Sequence, residues 1–277
     1  MFCDYHVHCE FSDDSLYDME DCVKDAISIN MQEICFTDHV DYGVKKDWSE
    51  GNIQYRSGDP LANVDYPKYF EKLAYLKEKY QDQIVIKQGM EFGVQHHTID
   101  KYENLFKKYD LDFVILSIHQ VNDKEFWNYE FQKESSEAEF YQAYYDEMYR
   151  VVQNYHHYSV LGHMDMLKRY DNKDGYDAFK NHQDIITKIL KYIIADGKGI
   201  EVNTSSFRYG LDDLMPSKEI LKLYLSLGGK ILTIGSDSHE KNHLLNSNIE
   251  NVKKILKEIG FTQYCTFEKM KPIYHSL

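Results

Sequence analysis

Seven short apolar segments, each with a histidine, acid or amide at or near its carboxyl end, most constrain what this chain can become. They run over residues 2–8, 33–39, 84–92, 112–119, 159–163, 199–203 and 230–237. Between them lie stretches of helical periodicity, over 19–30, 66–80, 99–108, 136–155, 178–195 and 218–227, with a last one near 249–258. In the first of these the apolar positions Cys22, Val23, Ala26 and Ile29 repeat at the three-to-four spacing of one helix face. Strands that alternate with helices pair in parallel, because each crossover must carry the chain back to the same edge. An α/β barrel is therefore expected, with a doubly wound open sheet as the alternative. The positions of the polar residues favour the barrel, which gathers the carboxyl ends of all its strands on one rim.

Composition narrows the class. The 277 residues are 43% hydrophobic, with 24 Tyr and 14 Phe to fill a core, and no Pro-rich or Ser/Gly-rich linker interrupts them. One domain over 1–277 is expected. A formal charge of -14, from 46 acidic and 32 basic side chains, disfavours nucleic acid and anionic membranes as partners. The amino terminus reads as no secretory leader, and no window is apolar enough for a membrane span. Five cysteines, odd in number and without CxxC spacing, read as reduced thiols of a cytoplasmic protein. Cys9 stands beside the histidines, but a small neighbouring side chain is the simpler reading than a nucleophile.

His6-Val7-His8 places two imidazoles at alternating strand positions, so both project to one face and can reach one metal ion. Asp13 and Asp14 follow in the next connection, where either can ligate and the other can cap a helix. Thr37-Asp38-His39 ends the second strand, with Asp38 able to orient His39 or to help neutralise the site, and Glu91 ends the third. His119 and His163 close two more strands, and Asp237 and His239 lie in the last, Gly235-Ser236-Asp237-Ser238-His239. Any one of these has an ordinary reading as a hydrogen-bonded or solvated side chain. Their recurrence at strand ends predicts a multimetal centre of nitrogen and oxygen ligands, suited to Zn, Mn, Fe or Co. Arg169 and Arg208, after the fifth and sixth strands, become candidate phosphate clamps beside such a centre, with Lys168 a weaker one. Glu201 and Asn203 are candidate supporting residues or substrate contacts, and Asp165 can orient His163 or cap local structure. The pair His96-His97 reads as loop polarity, and Gly228-Gly229 lacks the context of a phosphate loop.

The ordered series HVH, DDS, TDH, ME, SIH, GHMD, KRY, EVNTSSFR and GSDSH resembles the polymerase-and-histidinol-phosphatase (PHP) family of metal-dependent hydrolases. KRY and NTSSFR make it most similar to the histidinol-phosphatase branch. The resemblance covers the chain up to His239. It implies a distorted (β/α)7 TIM-like barrel and three divalent metal ions. By that likeness His6, His8, Glu91 and Asp237 hold one ion; Glu91, His119 and His163 a second; Asp14, His39 and His239 a third. Many relatives have a histidine at the position of Asp14, and Asp13 takes that role if the register differs. Arg169 and Arg208 match phosphate-binding positions of the branch. The implied reaction is attack of a metal-acidified water on phosphorus, with Asp237 or His239 involved in protonating the departing alcohol. L-histidinol phosphate is the implied substrate. Competing readings are a phosphatase of nucleotides, sugar phosphates or phosphotyrosyl proteins, a metal-dependent amidohydrolase, and a noncatalytic metal-binding module. Oligomeric state is not legible.

Overall fold

The computed structural model describes residues 1–56, 58–133, 135–171 and 175–277. Seven strands, β1 (Cys3–Val7), β2 (Glu33–Phe36), β3 (Val85–Gly93), β4 (Phe113–Ser117), β5 (Val160–Leu161), β6 (Gly199–Asn203) and β7 (Leu232–Gly235), pair in parallel in that order. A two-residue strand, His39–Val40, adds to β3 through the pairs His39–Glu91 and Val40–Phe92. β1 and β7 meet through the backbone: His8 N–H donates to the Ser238 carbonyl and Asp237 N–H to that of His6, each at 2.8 Å. That closure makes the sheet a distorted (β/α)7 barrel and removes the open-sheet alternative.

The barrel is uneven because its strands are. β1 against β2 changes register between Asp4 and Val7, and the strand expected over 159–163 pairs only at Val160 and Leu161. Every residue of β1, β2, β4 and β6 is buried, as parallel strands are when packed between a barrel interior and an outer helical layer. That layer comprises α1 (Met19–Ser28), α2 (Tyr66–Tyr80), α3 (Ile99–Phe106), α4 (Glu137–Asn154), α5 (Ala178–Ala195), α6 (Lys218–Ser226), α7 (Lys241–Leu245) and α8 (Ile249–Ile259).

The helix starts are written locally. Asp18 accepts the N–H groups of Glu20 and Asp21 at the head of α1, and Ser217 that of Ile220 at α6. Ser136 and Glu139 form a reciprocal capping box on α4. Each such cap contributes about 1 kcal/mol by satisfying otherwise orphaned donors. α1 then buries Met19, Cys22, Val23 and Ala26, the stripe its periodicity predicts. Among the described residues no helix is long and apolar enough to cross a membrane.

Beyond α8 the chain forms an antiparallel hairpin, β8 (Gln263–Glu268) and β9 (Lys271–Ser276), that sequence periodicity left unread. It lies across the amino-terminal mouth of the barrel. Met270 N–H donates to the carbonyl of Asp112, just before β4, and Phe267 packs on Phe113 with ring centroids 5.1 Å apart. Tyr5 from β1 joins them, donating to Glu33 and accepting the Phe267 N–H at 2.7 Å. With that end covered, the opposite rim is free for the polar residues.

Candidate metal centre

Glu91 is the hub of that rim. It is completely buried near the end of β3, and imidazoles surround it on several sides. One carboxylate oxygen, Oε1, lies 2.8 Å from His163 Nε2 and 3.1 Å from His119 Nε2. The other, Oε2, lies 3.1 Å from His6 Nε2, 3.1 Å from His39 Nδ1 and 3.4 Å from His8 Nε2. Asp237 Oδ1 stands 3.7 Å from His6 and 3.6 Å from His8. On the outer side Asp14 Oδ2 is 3.1 Å from His239 Nε2 and 3.6 Å from His39 Nε2. All nine residues read as ligands from the resemblance thus meet in one place.

Four of the imidazoles share one orientation. His6 donates from Nδ1 to Glu201 Oε1 at 2.5 Å, and His119 from Nδ1 to Asp41 Oδ1 at 2.8 Å. His8 Nδ1 is 3.0 Å from Ser12 Oγ, whose own proton goes to Asp38 Oδ1 at 2.8 Å. His239 Nδ1 donates to the Asp237 carbonyl at 2.9 Å. Because a carboxylate or carbonyl can only accept, and the Ser12 proton is committed to Asp38, these contacts place a proton on Nδ1 and leave Nε2 as the atom that offers a lone pair when the ring is neutral. His8 Nε2 and His39 Nδ1 are buried beside Glu91 without making a hydrogen bond. Protein accounting leaves such atoms unsatisfied, whereas a shared cation satisfies them. The residues fit divalent metal ions, and the triads His8–His39–His239, His6–His8–Asp237 and His6–Glu91–His163 each converge tightly enough to hold one.

The electrostatics agree. Burial disfavours the charged form of Glu91, but His6, His119 and His39 outweigh it and hold the carboxyl well below its usual range. Asp237 is likewise held down, by Arg169, His6 and His239 against burial. Burial opposes protonation of His6, which Glu201, Glu91 and Asp237 nonetheless drive well above the ordinary value; His119 rises to about 9 through Glu91 and Asp41. His8 goes the other way, pushed well down by burial and by His239, His39 and His6. Protons here balance the carboxylates as bound cations would.

Glycines make room for two of the anchoring pairs. A Cβ on Gly93 would lie 1.9 Å from Asp41 Oδ1 and 2.8 Å from His119 Nδ1. One on Gly235 would lie 2.3 Å from His6 Cβ and 2.7 Å from Glu201 Oε1. Glu201 also accepts the His163 backbone N–H at 2.9 Å, and Asn203 Nδ2 stands 3.4 Å from it.

Arg169 lies inside the site. Its guanidinium donates to Asp237 Oδ2 and to Ser205 Oγ, each at 2.7 Å, and sits over the Tyr209 ring. Arg208 lies just outside it: it donates to the carbonyls of Ser236 and Asp237 and lines a neighbouring cavity of about 210 Å³ with His243 and Asn242. Lys168 is committed to Asp165 and the Leu214 carbonyl. Asp165 accepts from Lys168 and from the Ser217 N–H, so it organises the 213–217 connection, and nothing ties it to His163. Asp38 departs from its expected partner as well: it accepts from Ser12 and Cys9, backing His8 where His39 was expected. Asp13 points to Lys45, leaving Asp14 to face the histidines. Cys9 is buried, and burial beside Asp38 pushes its thiol pKa well up, the reverse of an activated nucleophile. His97 pairs with Asp123 away from the centre.

The centre floors a cavity of about 480 Å³ whose walls include Arg169, Tyr209, Glu125, Trp127 and Arg56. Arg56 pairs with Glu125 at 2.9 Å and lies over Trp127, joining the hairpin Tyr55–Arg56/Asp59–Pro60 to the one at Gln120–Val121/Lys124–Glu125. Asp41, Lys45, Ser12 and this wall were not singled out from sequence. They lie in the connections between barrel strands and helices, some in two-residue hairpin strands, where neither helical periodicity nor the end of an apolar run marks them.

The PHP domain profile matches residues 4–205. The chain is 31% identical over 271 residues to the histidinol-phosphatase of Lactococcus lactis subsp. lactis, across 97% of this chain and 95% of that one. The crystal structure of the Lactococcus lactis histidinol phosphate phosphatase complexed with zinc, L-histidinol and phosphate superposes with a TM-score of 0.85 at 28% identity, covering 98% of each chain. A Listeria monocytogenes structure at 19% identity shares the fold, with a TM-score of 0.72 over 89% of this chain and 98% of that one.

Proposed function

The chain belongs to the PHP domain family, and from that premise we propose that it is a histidinol-phosphatase, hydrolysing L-histidinol phosphate to L-histidinol and inorganic phosphate. It acts as one barrel domain over 1–277, and its five unpaired cysteines suit the cytoplasm. The observation that carries the reading is the group His6, His8 and His119, whose Nδ1 protons are tied outward and whose Nε2 atoms converge on Glu91, with His239 turned to Asp14 and Arg169 alongside.

Three divalent ions fit the donor set. His6, His8, Glu91 and Asp237 would hold one, Glu91, His119 and His163 a second, and Asp14, His39 and His239 a third. Zn, Mn, Fe and Co all suit such nitrogen and oxygen ligands. Bound there, the ions would supply positive charge for phosphoryl oxygens and acidify a water for attack on phosphorus. The chain's own residues do the rest. Arg169 offers a planar fork to two phosphate oxygens once substrate competes for the donors now on Asp237 and Ser205. Arg208, one layer out, holds the Asp237 backbone and reinforces the positive field. Asp237 and His239 line the cavity; since Arg169 and the histidines keep Asp237 ionised against burial, the proton for the departing alcohol would come from a water that these two residues orient. Glu125 and Trp127 offer a carboxylate and an aromatic face to the cationic amine and imidazole of that alcohol.

Steady-state phosphate release decides the substrate. L-histidinol phosphate, measured against nucleotide and sugar monophosphates and a phosphotyrosyl peptide, is expected to give the highest kcat/KM, with loss on chelation and recovery on adding metal. Preference for another panel member would replace the substrate. No release by protein shown to hold metal would sink the phosphatase reading.

A further inference from the structure

Lys45 is a lysine in an unusual place, 8% exposed on the wall of the cavity that the candidate metal ligands line. Its ammonium lies 2.5 Å from Asp13 Oδ1 and 2.8 Å from Asp41 Oδ2. Asp41 spends its other oxygen on His119 Nδ1–H at 2.8 Å, and its backbone N–H is fixed by Asn63 Oδ1 at 2.9 Å. Lys45 N–H donates to the Asp41 carbonyl, so the same turn that carries Asp41 folds the lysine back over it. Asp13 is the chain neighbour of Asp14, whose carboxylate faces His239 and His39. A continuous path of charge-assisted contacts therefore runs from His119 through Asp41, Lys45 and Asp13 to the residue beside Asp14.

We infer that Lys45 is a positioning residue, which by bridging Asp13 to Asp41 sets Asp14 and His119 in register for the ions they would hold. The inference rests on the metal-centre reading above. A direct role on substrate is the less economical use of the group, since both of its contacts are carboxylates and a buried ammonium holds such partners firmly. Its charge also has a local purpose. Lys45 shares with His119 and His39 the task of balancing the buried charge of Asp41, and Asp41, His39 and His119 stand close enough together to hold a cation. With Lys45 on one carboxylate oxygen and His119 on the other, Asp41 is held in the orientation that supports His119.

The test compares wild type with Lys45→Met, Lys45→Arg and Asp13→Asn, by metal analysis after dialysis, metal titration, and kcat and KM for L-histidinol phosphate. The expected result for Lys45→Met is loss of about one equivalent of tightly held metal, affinity roughly 10- to 100-fold weaker, and a fall in kcat with little change in KM. Lys45→Arg, which keeps a bridging cation, should recover the equivalent in part. Asp13→Asn cuts the bridge nearer the surface and should reproduce the metal loss, so it decides the matter if Lys45→Met does not fold. Full metal content and wild-type kcat in Lys45→Met or Asp13→Asn would overturn the inference. Full metal content with a raised KM would overturn it in favour of substrate contact. Failure of the wild type to hold metal or release phosphate would instead refute the underlying function.

Discussion

Glu201 Oε1 accepts the Nδ1 proton of His6 at 2.5 Å, and both side chains are buried. The contact fixes the imidazole tautomer and leaves Nε2 facing Glu91 at 3.1 Å. Glu201→Gln preserves shape and removes the charge that makes His6 a strong donor of its lone pair. Metal affinity is expected to fall roughly 10- to 100-fold, with the fold retained. Competition with a chromophoric chelator, run beside circular dichroism, measures both; unchanged affinity would show that the carboxylate charge is dispensable.

Arg169 holds Asp237 at 2.7 Å while lining the cavity. Arg169→Ala should lower kcat on the order of 10²- to 10³-fold, as loss of a buried donor to developing charge does. Arg169→Lys should recover little, because an ammonium lacks the planar fork. Steady-state kinetics with metal content held constant separates this from loss of metal; a lysine variant as active as wild type would refute bidentate recognition.

Gly93→Ala tests the space that the Asp41–His119 pair needs. The new methyl would fall 1.9 Å from Asp41 Oδ1, so the carboxylate must move off His119. Overpacking of this kind costs about 1–3 kcal/mol. The expected outcome is a lowered Tm together with a fall in kcat, read by thermal unfolding and phosphate release. Normal values for both would mean that the pair is not needed.

Asp4 gives the stability a pH dependence. It is fully buried; burial outweighs the hydrogen bonds to Asp4 from the Ser236 and His6 N–H groups and raises its pKa to about 6. In the unfolded chain the same carboxyl ionises near 3.9. The folded state therefore binds more protons between those values, and this group's contribution to stability is present below pH ~3.9 and lost as pH rises through about 6. For the metal-free protein, Asp4→Asn should be comparatively more stable above pH 6 than at pH 4, by at most about 3 kcal/mol. Denaturant unfolding across that range checks it; parallel pH profiles for the two proteins would contradict it.

Local order carried much of this molecule. β1 to β7 stand where short apolar runs predicted them, and α1, α4 and α6 begin where Asp18, Ser136 and Ser217 can cap them. His6, His8, His39, His119 and His163 were legible as candidates because a polar side chain closing an apolar strand is conspicuous in one dimension. Asp14 was separable from Asp13 only in three, because that choice depends on Lys45, thirty-two residues away from Asp13. The same holds for Asp38, which reaches His8 through Ser12 and not its neighbour His39.

The sequence by itself determined the strand–helix alternation, the residues available to bind metal, and the rim on which they would collect. Those follow from period, chain polarity and the shared direction of parallel strands. Only the tertiary structure decided which nitrogen of each histidine faces inward, where Arg208 sits relative to Arg169, and that the β8–β9 hairpin seals the opposite mouth. Each of those outcomes depends on an acceptor or a packing surface supplied from distant chain. Hydrogen bonds and close packing act over a few ångströms of space, and linear spacing does not encode such neighbours.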